Sequence, residues 1–152
     1  MKVFPFFKKK YFSAEDKNLI TEAIRRAESQ TSVEVRVYIE GSCRYVDALD
    51  RAAELFQHLH MNKTALQNAV LVYVALRDHQ YAIYADSGVH QQLGRTFWEE
   101  QVRHFQHYFQ KAPPAQALQQ VIHDLGNVLK QVFPHLPGDR NELPDDLLFG
   151  KD

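Results

Sequence analysis

Along this chain the spacing of apolar residues shifts between about four and two, and each shift marks an element. Ser13-Ala14-Glu15-Asp16 has the form of a capping box, with Asp in the place of the usual Glu or Gln, and opens a helix. Leu19, Ile20, Ala23, Ile24 and Ala27 keep helical spacing down to about Gln30. Val33 to Glu40 then alternates: Val33, Val35, Val37 and Ile39 face one way, and Glu34, Arg36, Tyr38 and Glu40 the other. That pattern predicts a strand with one solvated face. Ala48, Ala52, Leu55, Phe56 and Leu59 mark a second amphipathic helix between Tyr45 and His60. Ala69 to Leu76 is apolar without interruption, which predicts a strand covered on both faces.

A polar tip, Arg77-Asp78-His79-Gln80, leads to a returning strand over Tyr81 to Ala85. Phe97, Trp98, Val102, Phe105 and Phe109 stripe a third helix. Pro113-Pro114 suits the first turn of a fourth, which carries Leu118, Val121, Ile122, Leu125, Val128, Leu129 and Val132. Strand, helix, strand is a right-handed crossover that makes the first two strands parallel, and the hairpin adds an antiparallel third. The expected fold class is α/β, a three-layer α/β/α sandwich with a mixed parallel/antiparallel sheet. Residues 1–12 form an N-terminal segment and 13–133 the domain. Residues 134–152 form an extended tail laid on it, with the capacity for one more short strand.

Composition narrows the possibilities. A chain of 152 residues fits one domain, and 45% hydrophobic with 24% charged residues is ordinary for a globular protein. A net charge of −1 without blocks of like charge argues against nucleic acid as a partner. The lone Cys43 excludes an internal disulfide. The aromatic-basic start is too short and too broken by Pro5 for a targeting signal, and no run is long enough to span a membrane. The expectation is a cytoplasmic monomer.

The topology itself gathers chemistry. Parallel strands begin at one edge of a sheet, and an antiparallel neighbour ends there. Thr31, Ser32 and Glu34 at the start of the first strand, Asn68 at the start of the second, and Asp86, Ser87 and Gly88 after the third therefore share an edge. Two carboxylates, an amide and hydroxyls suit a hard cation such as calcium or magnesium. The plainer reading is polar strand ends that need water. Other constellations are weaker. His58 and His60 diverge on their helix, and Glu100, His104 and His107 share a face opposite the aromatic stripe. Cys43 sits in a turn beside Arg44, with no His implied near it. No phosphate-binding glycine loop, nucleophile elbow or Cys-x-x-Cys is present.

The stretches "FSAEDKNLITEAIRRAESQTSVEVRVYIE", "QNAVLVYVALRDHQYAIYADSGV", "FWEE" and "FPHLPGDRNELPDDLLFG" together resemble the TPM domain family, over about Phe12 to Gly150. That family includes thylakoid-lumen proteins linked to photosystem repair, a receptor-accessory protein and many bacterial proteins. The similarity is closest to short stand-alone bacterial members with an Asn-Glu-Leu-Pro-Asp segment, here Asn141 to Asp145. It implies the same sandwich, a cleft that binds divalent metal in some members, acid phosphatase activity in the plant relatives, and action through protein partners in others. The family's cleft positions fall on Thr31, Ser32, Glu34, Asn68, Asp86 and Gly88. Three positions depart: Ala69 stands for a usual Gly, Gln67 for a frequent Asp, and Val33 for a Gly. Two main readings follow, a weak calcium-binding domain that works through a protein partner, and a metal-assisted phosphomonoesterase. A structural domain with no metal is the third.

Overall fold

Each change of spacing becomes an element. The computed structural model describes residues 12–138 and 146–151. In chain order these form α1 (Ala14–Gln30), β1 (Glu34–Glu40), α2 (Ala48–His58), a 3-10 turn (Met61–Lys63), β2 (Ala69–Ala75), β3 (Gln80–Ala85), α3 (Ser87–Lys111), α4 (Pro114–Val132) and β4 (Leu147–Phe149). The capping box is present in full: the Ser13 hydroxyl accepts from the Asp16 amide and the Asp16 carboxylate from the Ser13 amide.

The sheet order is β3-β2-β1-β4, with β1 parallel to both β2 and β4 and β3 antiparallel to β2. Every residue of β2 is buried, as its unbroken apolar run requires. One face of the sheet, carrying Val35, Val37, Ile39, Val70, Val72 and Val74, packs under α1, α3 and α4. The other face, carrying Ala69, Leu71, Tyr73 and Ala75, packs under α2 and the 3-10 turn. Helices on both faces of a mixed sheet make the expected three layers. The tail supplies the additional strand: the Val37 amide donates to the Asp146 carbonyl (2.8 Å) and the Gly150 amide to the Ile39 carbonyl (2.8 Å). Residues 141–145 of the tail motif, and residues 1–11, lie outside the described residues.

Two expectations change. The third helix starts at Ser87, well before its aromatic stripe, and is kinked at Gly94, whose φ of 82° no ordinary side chain adopts comfortably. The larger correction concerns β1, whose polar face is not solvated. Glu34, Arg36 and Glu40 are 6%, 4% and 6% exposed. Period-two alternation normally separates core from water, but here it separates an apolar interior layer from a charged one. Because α2 is short, small residues such as Ala48 and Ala52 let it sit close to the sheet. The space over β1 is filled by paired charges instead of carbon.

The C-terminal end of that charged row is fully wired. Arg51 grips Glu40 with both arms, Nε to Oε2 at 2.9 Å and Nη2 to Oε1 at 3.0 Å, while Nη1 reaches Glu54 at 2.6 Å. The Tyr73 hydroxyl donates to Glu40 and the Tyr45 hydroxyl to Glu54. Burial and the adjacent carboxylate both push the Tyr73 phenol well above its ordinary value, so it stays a donor. Arg51→Ala leaves the Glu40 carboxylate buried without its counter-charge and should destabilise the fold on the order of 3 kcal/mol. Adding Glu40→Gln should restore part of that loss in urea unfolding; an additive double variant would mean the pair does not interact.

Candidate functional site

At the opposite end of the same row, register sets the geometry. Glu34 is the partner of Ala69 in the β1–β2 ladder, and the Glu34 amide donates to the Asn68 carbonyl at 3.0 Å. Val70 pairs with Ala85, and the Asp86 amide donates to the Ala69 carbonyl at 2.9 Å. Glu34, Ala69 and Asp86 thus form one row across three strands, with Asn68 one residue outside it. The middle position carries a small side chain, Ala69, between the two acidic ones. The shared edge expected from the topology is the one observed.

Each of these side chains has a local anchor. The Asn68 amide nitrogen Nδ2 donates to the Ser32 carbonyl, which ties β2 to the start of β1. Its backbone amide is held by the Thr64 hydroxyl at 3.1 Å. With Nδ2 committed, Oδ1 is buried and accepts no hydrogen bond from the described residues. Asp86 caps α3: Oδ1 accepts from the Ser87 amide at 2.7 Å, and Oδ2 is buried with no donor. Glu34 is buried beside them in register.

Thr31 and Ser32 have other duties. The Thr31 hydroxyl donates to the Phe133 carbonyl and accepts from the Val33 amide at 3.3 Å, so it fastens the start of β1 to the end of α4. Ser32 contributes backbone, its amide to the Phe133 carbonyl (3.0 Å) and its carbonyl to Asn68. Gly88 is explained by packing. A Cβ there would lie 2.6 Å from the Gln67 carbonyl oxygen and closer still to that of Leu66, while its amide donates to Gln67 at 3.0 Å. The first turn of α3 is therefore pressed onto the loop before β2. Ser87 Oγ and the Gln67 amide oxygen close the same contact at 2.6 Å.

Glu28 was not visible in the sequence as part of this neighbourhood, since it lies off the apolar stripe of α1. Its Oε2 accepts from the Val35 amide at 2.9 Å, on the side of β1 that β4 leaves uncovered. Burial, with Asp146 and Glu34 nearby, pushes its carboxyl up to about 8 against the pull of the Val35 amide and Arg36. Acidic groups thus crowd around the start of β1, and Glu28 answers by holding its proton.

Buried oxygens without donors, beside crowded acidic groups, are what a hard cation would use. The two orphaned atoms fit that use, and the set is lean. Among the described residues no group of three or more His, Cys, Asp or Glu side chains is disposed to hold a metal. Glu100, His104 and His107 remain on an exposed helix face. One carboxylate oxygen of Asp86 is spent on the helix cap, where the positive end of α3 also opposes a cation.

A mixed-sheet α/β/α sandwich with an amide-and-carboxylate edge defines the class. The TPM domain signature matches residues 7–128, and the chain belongs to the TPM domain family. It is similar to the BA42 protein of the psychrophilic bacterium Bizionia argentinensis, at 37% identity and a TM-score of 0.82, covering 91% of this chain and 94% of that one. The N-terminal domain of a P. gingivalis protein (15% identity, TM-score 0.69, 84% and 83% covered) shares the fold. So does the N-terminal domain of cg2496 from Corynebacterium glutamicum (14%, 0.61, 78% and 74%). No curated protein matches the chain. Among the described residues no helix is long and apolar enough to cross a membrane.

Two outcomes test this geometry. Gly88→Ala forces a methyl against backbone oxygens and should cost about 1–3 kcal/mol, measured by chemical unfolding; a neutral change would mean that the α3 contact is loose. Glu28 gives a pH dependence. Its native carboxyl holds a proton that the unfolded chain releases near 4.5. Its contribution to stability is whole below 4.5 and is lost as pH rises toward about 8. Glu28→Gln should flatten that decline in melting temperature; an unchanged slope would remove Glu28 as its source.

Proposed function

We propose that this sheet edge binds calcium weakly and that the protein acts through a protein partner whose docking the cation tunes. The observation that carries the reading is the pair of buried acceptors, Asn68 Oδ1 and Asp86 Oδ2, with no hydrogen-bond donor. A buried acceptor left unmatched costs about 1–3 kcal/mol, a cost that a bound cation would relieve. Asn68, Asp86 and Glu34 would hold it, with waters completing the 6–8 oxygens that calcium takes. Thr31 is not in this set, because its hydroxyl already serves the carbonyls of Leu129 and Phe133, and Ser32 contributes its backbone to Asn68. Magnesium fits less well, because it demands near-octahedral ligands that irregular strand ends do not supply. With at most two carboxylates, one of them half used as a cap, the expected affinity is ~10⁻⁴–10⁻³ M.

The test is calorimetric unfolding with calcium, magnesium or chelator. At ~100 times Kd, a ligand of the folded state adds about 2.7 kcal/mol of stability. Asp86→Asn keeps a capping oxygen and removes the charge, and should abolish the calcium-dependent part of the shift. Gln67→Asp, which restores the acidic residue of the family pattern, should enlarge it. A calcium response equal in wild type and Asp86→Asn would sink the site. Hydrolysis of p-nitrophenyl phosphate that disappears with Asp86→Asn would replace this reading with the phosphomonoesterase one.

A further inference from the structure

The two edges of the sheet are finished differently. β4 is only Leu147–Phe149, and the Glu28 carboxylate covers the amide of Val35 beyond it. β3 is Gln80–Ala85, paired with β2 in unbroken register. Edge strands are normally protected by a Lys, a Pro, a bulge or brevity. The sequence of β3, Gln-Tyr-Ala-Ile-Tyr-Ala, contains no charge, no Pro and no Gly, and its register has no bulge.

The phase of the ladder shows which groups are open. Asp86 and Ala69 are a hydrogen-bonded pair, so Tyr84, Ala82 and Gln80 are the residues that exchange bonds with β2. The N–H and C=O groups of Tyr81, Ile83 and Ala85 point the other way. Among the described residues no backbone partner for these three occurs on that side. The edge is nevertheless reachable, because it lines the floor of a groove. Leu49 and Asp50 of α2 stand on one side, and Trp98, Glu99 and Val102 of α3 on the other. The indole N–H of Trp98 is buried in that wall without an acceptor.

We propose that this groove takes up an extended segment of a partner protein as an added strand, a segment in which basic and apolar residues alternate. Main-chain bonds to Tyr81, Ile83 and Ala85 would supply the affinity. Alternate side chains of an added strand face the two layers of the sandwich. On the α3 side they meet Trp98 and Val102, and on the α2 side they meet Asp47 and Asp50. Asp86 adds acid at the rim, and Glu99 there is paired with Arg95 at 3.5 Å. A second copy of this chain fits poorly: its own β3 sits between its own helices, and two acidic rims would be brought together.

The inference does not rest on the cation reading, and its test runs in chelator. A blocked heptapeptide alternating lysine and valine is titrated into the ¹⁵N-labelled protein, with fluorescence of Trp98, the single tryptophan, followed in parallel. The amides of Tyr81, Ile83 and Ala85 should shift and gain exchange protection, while those of Ala82 and Tyr84 keep their existing bonds. The same peptide N-methylated throughout, and a glutamate–valine version, should not bind. Asp50 and Glu99 are exposed, so Asp50→Lys/Glu99→Lys keeps the fold and should lose the lysine peptide. A fluorescence change without shifts at Tyr81, Ile83 and Ala85, or equal binding of the methylated peptide, overturns the proposal. So does a shift of those amides with protein concentration alone, which would assign the edge to self-association.

Discussion

Burial of β2 on both faces is the constraint from which the rest of this molecule follows. Seven consecutive residues, Ala69 to Ala75, are out of contact with water. A strand in that state needs a neighbour on each side for its amides and a layer of helix on each face for its side chains. β1 and β3 meet the first need. The second divides unequally, with three helices on one face and α2 with its short 3-10 extension on the other. The thin layer cannot cover β1 with carbon, and the polar row Glu34, Arg36, Tyr38 and Glu40 lies beneath it.

That row gives the two ends of β1 different characters. At the C-terminal end Glu40 meets Arg51, Tyr73 and, through Arg51, Glu54, so buried charge is matched by charge and by donors. At the N-terminal end acidic groups crowd together. Glu28 is held largely protonated at neutral pH, and acceptors on Asn68 and Asp86 go without donors. Both ends have the same layer architecture, so architecture alone does not account for the contrast. A matched network rigidifies a corner, whereas an unmatched one is a place where a ligand has something to contribute.

The fold was legible because its signals are local. A capping box, a double proline at a helix start, an uninterrupted β-branched run and a four-residue polar tip each act over a few residues. The shared edge of the starts of β1 and β2 and the end of β3 was legible too, since strand direction alone brings those ends together. What the alternation of β1 could not reveal is which of its faces sees water. The answer depends on how near α2 lies, and that is set by Ala48 and Ala52, residues distant in sequence. Glu28 and Thr31 were opaque for a related reason. One looks like a solvated helix position and the other like a ligand. Their roles, holding the Val35 amide and the α4 terminus, exist only once the elements have docked. Gly88 looked like a turn residue, and its reason is steric: two carbonyls of a loop twenty residues earlier lie where its side chain would be.

Gly88 also connects the two proposed sites. By letting α3 press onto the loop of Leu66 and Gln67, it fixes Asp86 at the start of the helix and Asn68 at the end of that loop. Beyond it the kink at Gly94 redirects the rest of α3, which carries Trp98 and Val102 to the edge of β3. Asp86 therefore belongs to both places, to the acceptors at the strand ends by its Oδ2 and to the rim of the groove by position. A cation at the first would lower the negative charge at one end of the second. Basic peptide and cation would then oppose each other through a shared carboxylate, with a reciprocal effect on the two affinities. A domain built this way would hold its peptide more tightly when calcium is scarce, and the coupling would be largest for a segment whose lysine lies nearest Asp86.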